Sequence, residues 1–92
     1  MSRYQLDPLP RFRSYDIAVG WDPAGTFFAY VFNPHGGSAG VEVLNVGSQP
    51  GEITNAYDVI HRVHPYAEIP PSLIDQLSAD ARRDGHAGTP HG

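Results

Sequence analysis

Three side chains in this sequence have the spacing of metal ligands. Asp58, His61 and His64 stand three residues apart within 55–64, and on a helix such residues share one face. Two imidazoles with a carboxylate beside them would suit a divalent transition metal. The helical wheel favours a plainer use. The apolar stripe of this segment is Ala56, Val59, Ile60 and Val63, and His61 points away from it. Asp58 also stands four before Arg62, the spacing of a surface ion pair. An exposed metal site would lack the outer hydrogen bonds that tighten binding. A solvated helix face is the expectation, with no metal and no cofactor.

The remaining candidates for catalysis are scattered. His35 lies in the Gly-rich loop 33–40, and His86 and His91 lie in the polar tail 84–92. Ser14, Ser38, Ser48, Ser72 and Ser78 have no nucleophile-elbow context. Catalysis needs a base within hydrogen-bonding reach of its partner and held by a third group. No such constellation is visible, so the sequence does not read as an enzyme. There is no Cys, which removes a thiol nucleophile, a thiolate zinc site and a disulfide scaffold. The loops NPHGGSAG and VGSQPGEIT carry glycines near helix starts. A phosphate cradle would run straight into its helix, usually with a Lys. Here Pro50 and Glu52 intervene and the chain has no Lys, so both loops read as turns.

Residues 1–13 mix basic and aromatic groups. Arg3, Tyr4, Arg11, Phe12 and Arg13, with Tyr15 next, could bind single-stranded nucleic acid by charge and stacking. Three charges are few for that purpose, and the whole chain carries a net charge of -4. A nucleic-acid binder normally shows a basic patch, and the acidic residues are too dispersed for a DNA mimic. Pro8 and Pro10 make this segment an extended arm rather than a helix. Its Leu6, Leu9 and Phe12 can dock on the domain while its arginines stay in water.

The elements that would position these residues belong to one small domain. The chain has 92 residues, 40% of them hydrophobic, and a domain of this size buries only about 60–65% of its unfolded surface. No apolar run approaches the roughly 20 residues of a membrane span, and no secretory signal is read at 1–13. A soluble, cytoplasmic protein is expected. Every basic side chain is Arg, consistent with GC-rich bacterial coding. Three strands are expected at 14–22, 26–33 and 41–46, then helices at 55–64 and from Ser72 to a stop at Gly85. Asn55 and Ser72 are the expected caps, and Pro65 ends the first helix. The order βββαα predicts an antiparallel meander with both helices on one face, a two-layer α+β domain at 14–83. Residues 84–92 are expected to form a disordered tail.

The hairpin 14–33 is the informative part. Tyr15, Ile17, Val19 and Trp21 alternate with Asp16, Ala18, Gly20 and Asp22. Asp22-Pro23-Ala24-Gly25 suits a type I turn, with or without a G1 bulge at Gly25. Without the bulge, Trp21 pairs with Thr26 and Val19 with Phe28. With it, Phe28, Tyr30 and Phe32 lie over Gly20, Ala18 and Asp16. One residue of slip exchanges whole faces, and both registers remain open. In either, TFFAYVF is apolar on both sides, while two helices of about ten residues shield one. The second face then carries apolar groups worth roughly 2 kcal/mol each when buried, comparable in sum to a small domain's stability. Its cover is the arm, a second copy or a different protein. A second copy is favoured, because two-fold homodimers are the commonest oligomers.

The segment YDIAVGWDPAGTFFAYVF (15–32), followed by YAEIPPSLIDQL (66–77), resembles short uncharacterised bacterial proteins, some carried on mobile elements. The shared motif is V-G-W-D, a turn, then T-F-F. The resemblance implies a strand–turn–strand and no activity, so no functional residue is carried over. The expectation is thus a non-enzymatic protein-interaction module, self-associating as a homodimer through a sheet face or sheet edge. Its candidate residues are Trp21, Phe27, Phe28, Tyr30, Val31 and Phe32. The alternatives are a nucleic-acid accessory protein using the arm (Arg3, Leu9, Arg11, Phe12, Arg13) and a mobile-element inhibitor of another protein.

Overall fold

The alternating segments are strands in the computed structural model, which describes residues 2–88 and side chains through Arg83. The strands are β1 (Ser2–Leu6), β2 (Asp16–Asp22), β3 (Thr26–Asn33) and β4 (Val41–Val46), followed by helices α1 (Ala56–Val63) and α2 (Leu73–Gly88). They form one antiparallel sheet in the order β1-β2-β3-β4. The architecture is α+β as expected, but the sheet has four strands instead of three. Within the segment read as an arm, Ser2–Leu6 is a strand that pairs with β2 from Ser2↔Trp21 to Leu6↔Ile17. Pro8 and Pro10 lie just past that ladder, where a missing N–H leaves no strand bond broken. Pro10 opens a 3-10 turn, Pro10–Phe12, a position that its fixed φ suits. That turn reverses the chain into β2.

Helix α1 follows its expected cap. The Asn55 side chain accepts a hydrogen bond from Tyr57 N–H at 2.8 Å and starts α1. Val59 and Val63 are fully buried on the sheet. α2 continues past Gly85, the expected stop. One glycine costs a helix only about 1 kcal/mol, and a run already nucleated can carry it. The tail read at 84–92 is therefore helical through Gly88, and 89–92 lie outside the described residues.

The hairpin takes the bulged register. Asp22 pairs with Thr26, the turn bond runs from Gly25 N–H to the Asp22 carbonyl at 2.9 Å, and Gly25 has a φ of 109°. Ile17, Val19, Trp21, Phe27, Ala29 and Val31 consequently face the helices. They pack with Ile53, Ala56, Val59, Val63, Leu73 and Leu77 in a single core. The chain after β4 returns beneath the hairpin. Ile53 N–H donates to the Thr26 hydroxyl at 3.0 Å, and Phe27 N–H donates to the Ile53 carbonyl at 2.9 Å.

Gly20 has no room for a side chain between β1 and the Phe28 ring. A Cβ there would lie 2.0 Å from the Ser2 carbonyl oxygen and 2.6 Å from the Phe28 ring. Gly20→Ala is expected to destabilise the fold by about 1–3 kcal/mol. In a domain of this length each kcal/mol lowers Tm by roughly 4–8 °C. A thermal melt monitored by circular dichroism checks this. An unchanged Tm would mean that β1 does not sit against β2 as described.

Candidate functional site

The six candidates on the hairpin divide between the two faces of the sheet. Trp21, Phe27 and Val31 belong to the core, where the Trp21 and Phe27 rings meet edge to face with centroids 4.8 Å apart. Phe28, Tyr30 and Phe32 stand on the opposite face. None of these three contributes to the core or packs against it. Each is half-buried all the same. The Phe28 ring lies on Gly20, the Phe32 ring lies on Gly40, and Tyr30 stacks on Phe32 with planes 6° apart. The result is a flat aromatic stripe along β3.

The ladder sets the neighbours of that stripe. At one end the cross-strand row is Arg3, Gly20 and Phe28. In the middle it is Gln5, Ala18, Tyr30 and Asn45. At the other end it is Asp16, Phe32 and Glu42. Arg3 thus stands in the Phe28 row, with Asp22 in the next row outward, and Asp16 and Glu42 stand in the Phe32 row. Gln5 donates a hydrogen bond to Asp16, and Asn45 donates to Glu42 at 3.1 Å, across a bulge in β4.

The arm does not cover this face. Leu6 is in the core on the helix side, and Leu9 N–H donates to the Tyr66 carbonyl at 2.8 Å. Phe12 packs on Tyr15 and Tyr66, with centroids at 4.8 and 5.4 Å, and the Arg11 guanidinium lies 5.3 Å from its ring. The arginines of the arm are also split. Arg3 shares the outer face with Phe28, whereas Arg11 and exposed Arg13 sit at the 3-10 turn beyond the other end of β1.

The other candidates stay apart. Asp58 pairs with Arg62 at 3.4 Å. His61 and His64 are exposed, and among the described residues no three potential ligands cluster around a metal position. His35 is exposed in its loop, the His86 side chain and His91 lie outside the described residues, and Ser14, Ser38, Ser48 and Ser72 are exposed. An open groove of about 380 Å³ lies at the end of the sheet beside α1, walled by Trp21, Phe27, Tyr57, Ser78 and Arg82. Among the described residues, neither a histidine nor a carboxylate lines it. The Gly-rich loop after β4 is occupied from within. The Glu52 carboxylate accepts the N–H groups of Gly47, Ser48 and Gln49 at 2.9, 3.1 and 3.2 Å. Those bonds, Gly47's first, hold its pKa below the ordinary value.

Compared with protein-family models, curated proteins and solved structures, the chain matches none of them. What the surface can do is therefore read from its own geometry. It presents three aromatic side chains in a row, with Arg3 in the row at one end and Asp16 and Glu42 in the row at the other.

A partly buried polar cluster ties β1 to α2. Tyr4, on the helix side of β1, donates its hydroxyl to Asp80 of α2, and Arg83 reaches the same carboxylate at 2.8 Å. Asp80 is 5% exposed. The pairing leaves little trace in the sequence, where 76 residues separate Tyr4 from Asp80. The alternation of Tyr4 with Leu6 is the one local signal. Burial alone would raise the Asp80 pKa. The hydroxyl of Tyr4, with Ser2 and Arg83, outweighs burial and holds it below the ordinary 3.8. A carboxyl depressed on folding stabilises above its unfolded pKa, and that contribution vanishes as pH falls through the folded one. Wild-type stability is thus expected to drop as pH falls below about 4, and Asp80→Asn is expected to flatten that drop. At neutral pH, Tyr4→Phe is expected to cost about 1.5–3 kcal/mol, since it takes a donor from a buried carboxylate. Urea titrations at several pH values measure both.

Proposed function

We propose that this chain is a non-enzymatic protein-interaction module that self-associates through the outer face of its sheet. One observation carries the reading: Phe28, Tyr30 and Phe32 form a continuous aromatic stripe on the face opposite both helices, outside the core. Contiguous apolar surface of this kind marks an interaction site in a water-soluble domain. Aromatic side chains also dominate the energetics of protein interfaces.

The area sets the strength. Four strands at about 4.8 Å spacing and six residues of about 3.3 Å rise give a face of roughly 20 by 20 Å. That is about half of the roughly 800 Å² per partner typical of a stable complex. The association expected is weak and dependent on concentration. The edge of β4 is the rival surface, with Val41 47% exposed. A bulge, together with Glu42 on that edge, works against strand addition there.

Light scattering on the full chain over a concentration series is expected to follow a monomer that converts to a dimer. Tyr30→Asp, which sets a charge in the middle of the stripe, is expected to leave a monomer with little change in Tm. A wild type that is monomeric throughout, or a dimer indifferent to Tyr30→Asp, would overturn the reading.

A further inference from the structure

The distribution of charge along the outer face selects one way for two copies to meet, given that this face is where the chain self-associates. Sheets that pack face to face with their strands aligned have a two-fold axis that runs either along the strands or across them. An axis along β3 would set the β2 of one copy over the β4 of the other with rows unchanged. Asp16 would then meet Glu42, and Arg3 would fall outside the contact. An axis across the strands reverses the rows. The Arg3 end of one copy then lies over the Asp16 end of the other, and each aromatic ring still meets a ring.

We propose that two copies stack outer face to outer face about a two-fold axis running across the strands through Tyr30, with Arg3 of each copy paired to Asp16 of the other. Phe28 of one copy lies against Phe32 of the other, and the two Tyr30 rings meet at the axis. That axis lays each strand over its own copy, so Asp16 on β2 stands one strand, about 4.8 Å, to the side of the point facing Arg3 on β1; across packed sheets about 10 Å apart, an arginine and an aspartate together still reach each other. The row that crosses Gly20 and Phe28 contributes Arg3, and the row that crosses Phe32 contributes Asp16. Both side chains are exposed in the single chain, so their pairing costs little desolvation. Each dimer holds two such contacts, because a two-fold interface uses every pairing twice. Charge in this position fixes orientation more than affinity.

The test is a charge exchange in the full chain. Arg3→Glu and Asp16→Arg each turn both contacts from attraction to repulsion, and each alone is expected to weaken dimerisation by about tenfold. Mixed in equal amounts, the two variants are expected to regain wild-type association as a heterodimer. In that species the exchanged pair and the native pair are both matched. Thermal melts on each variant confirm folding, which substitutions at exposed positions leave intact. Wild-type dimers whose strength ignores both substitutions would overturn this geometry and leave self-association standing. Two weakened variants that fail to recover on mixing would overturn it as well. A wild type that is monomeric at every concentration would overturn self-association itself, on which the geometry rests.

Discussion

Gly25 holds a φ of 109°, a conformation that side chains with a Cβ resist, and with it the turn after β2 takes three residues. The pairing of Asp22 with Thr26 follows, and from it the face of every residue in β3. Phe27, Ala29 and Val31 go to the helices, and Phe28, Tyr30 and Phe32 go to the other side. A two-residue turn would exchange the sets. Helices that bring Ala56, Val59, Val63, Leu73 and Leu77 to the sheet would then have to accommodate three aromatic rings where one ring, an alanine and a valine now fit. The core is built to the smaller set, so the torsion at one glycine, the size of the core and the aromatic outer face are one constraint.

The β1 strand depends on that same arrangement. Its outward row brings Arg3 beside Gly20, and its inward row brings Tyr4 and Leu6 to the helix side. The bond from Tyr4 to Asp80 ties the edge strand to α2 across the core, so the first and last elements close on each other. A strand at the edge of a sheet otherwise has half its hydrogen bonds and one neighbour to hold it. With the ladder to β2 and the buried Leu6, that tie holds β1, and Arg3 with it, in place beside Gly20.

Much of this was legible in the sequence. The limits of β3 and β4, the cap at Asn55 and the stripe of α1 follow from periodicity and local chemistry. So does the conclusion that β3 is apolar on both sides. The register was legible only as two alternatives, because a type I turn with or without a bulge uses the same residues. β1 was missed for a physical reason. Five residues between the N-terminus and two prolines offer extended geometry but no sign of a partner, and strand pairing is a long-range fact. The same holds for Tyr4 and Asp80, whose contact no local pattern encodes. Gly85 misled in the opposite direction: a residue that often ends helices is only a modest penalty within one. The candidate surface was half legible, since the rings could be named but not assigned to a face.

The packing of the outer stripe limits how much aromatic area it exposes. Rings that stood upright on a sheet would expose most of their area. Here the missing side chains of Gly20 and Gly40 let Phe28 and Phe32 lie down, and Tyr30 stacks on Phe32. The exposed apolar area shrinks, and with it the drive to aggregate. Apolar contact is non-directional, so by itself it does not distinguish one orientation from another. Direction has to come from groups whose interaction changes sign, and on this face those are the arginine at one end of the stripe and the carboxylates at the other.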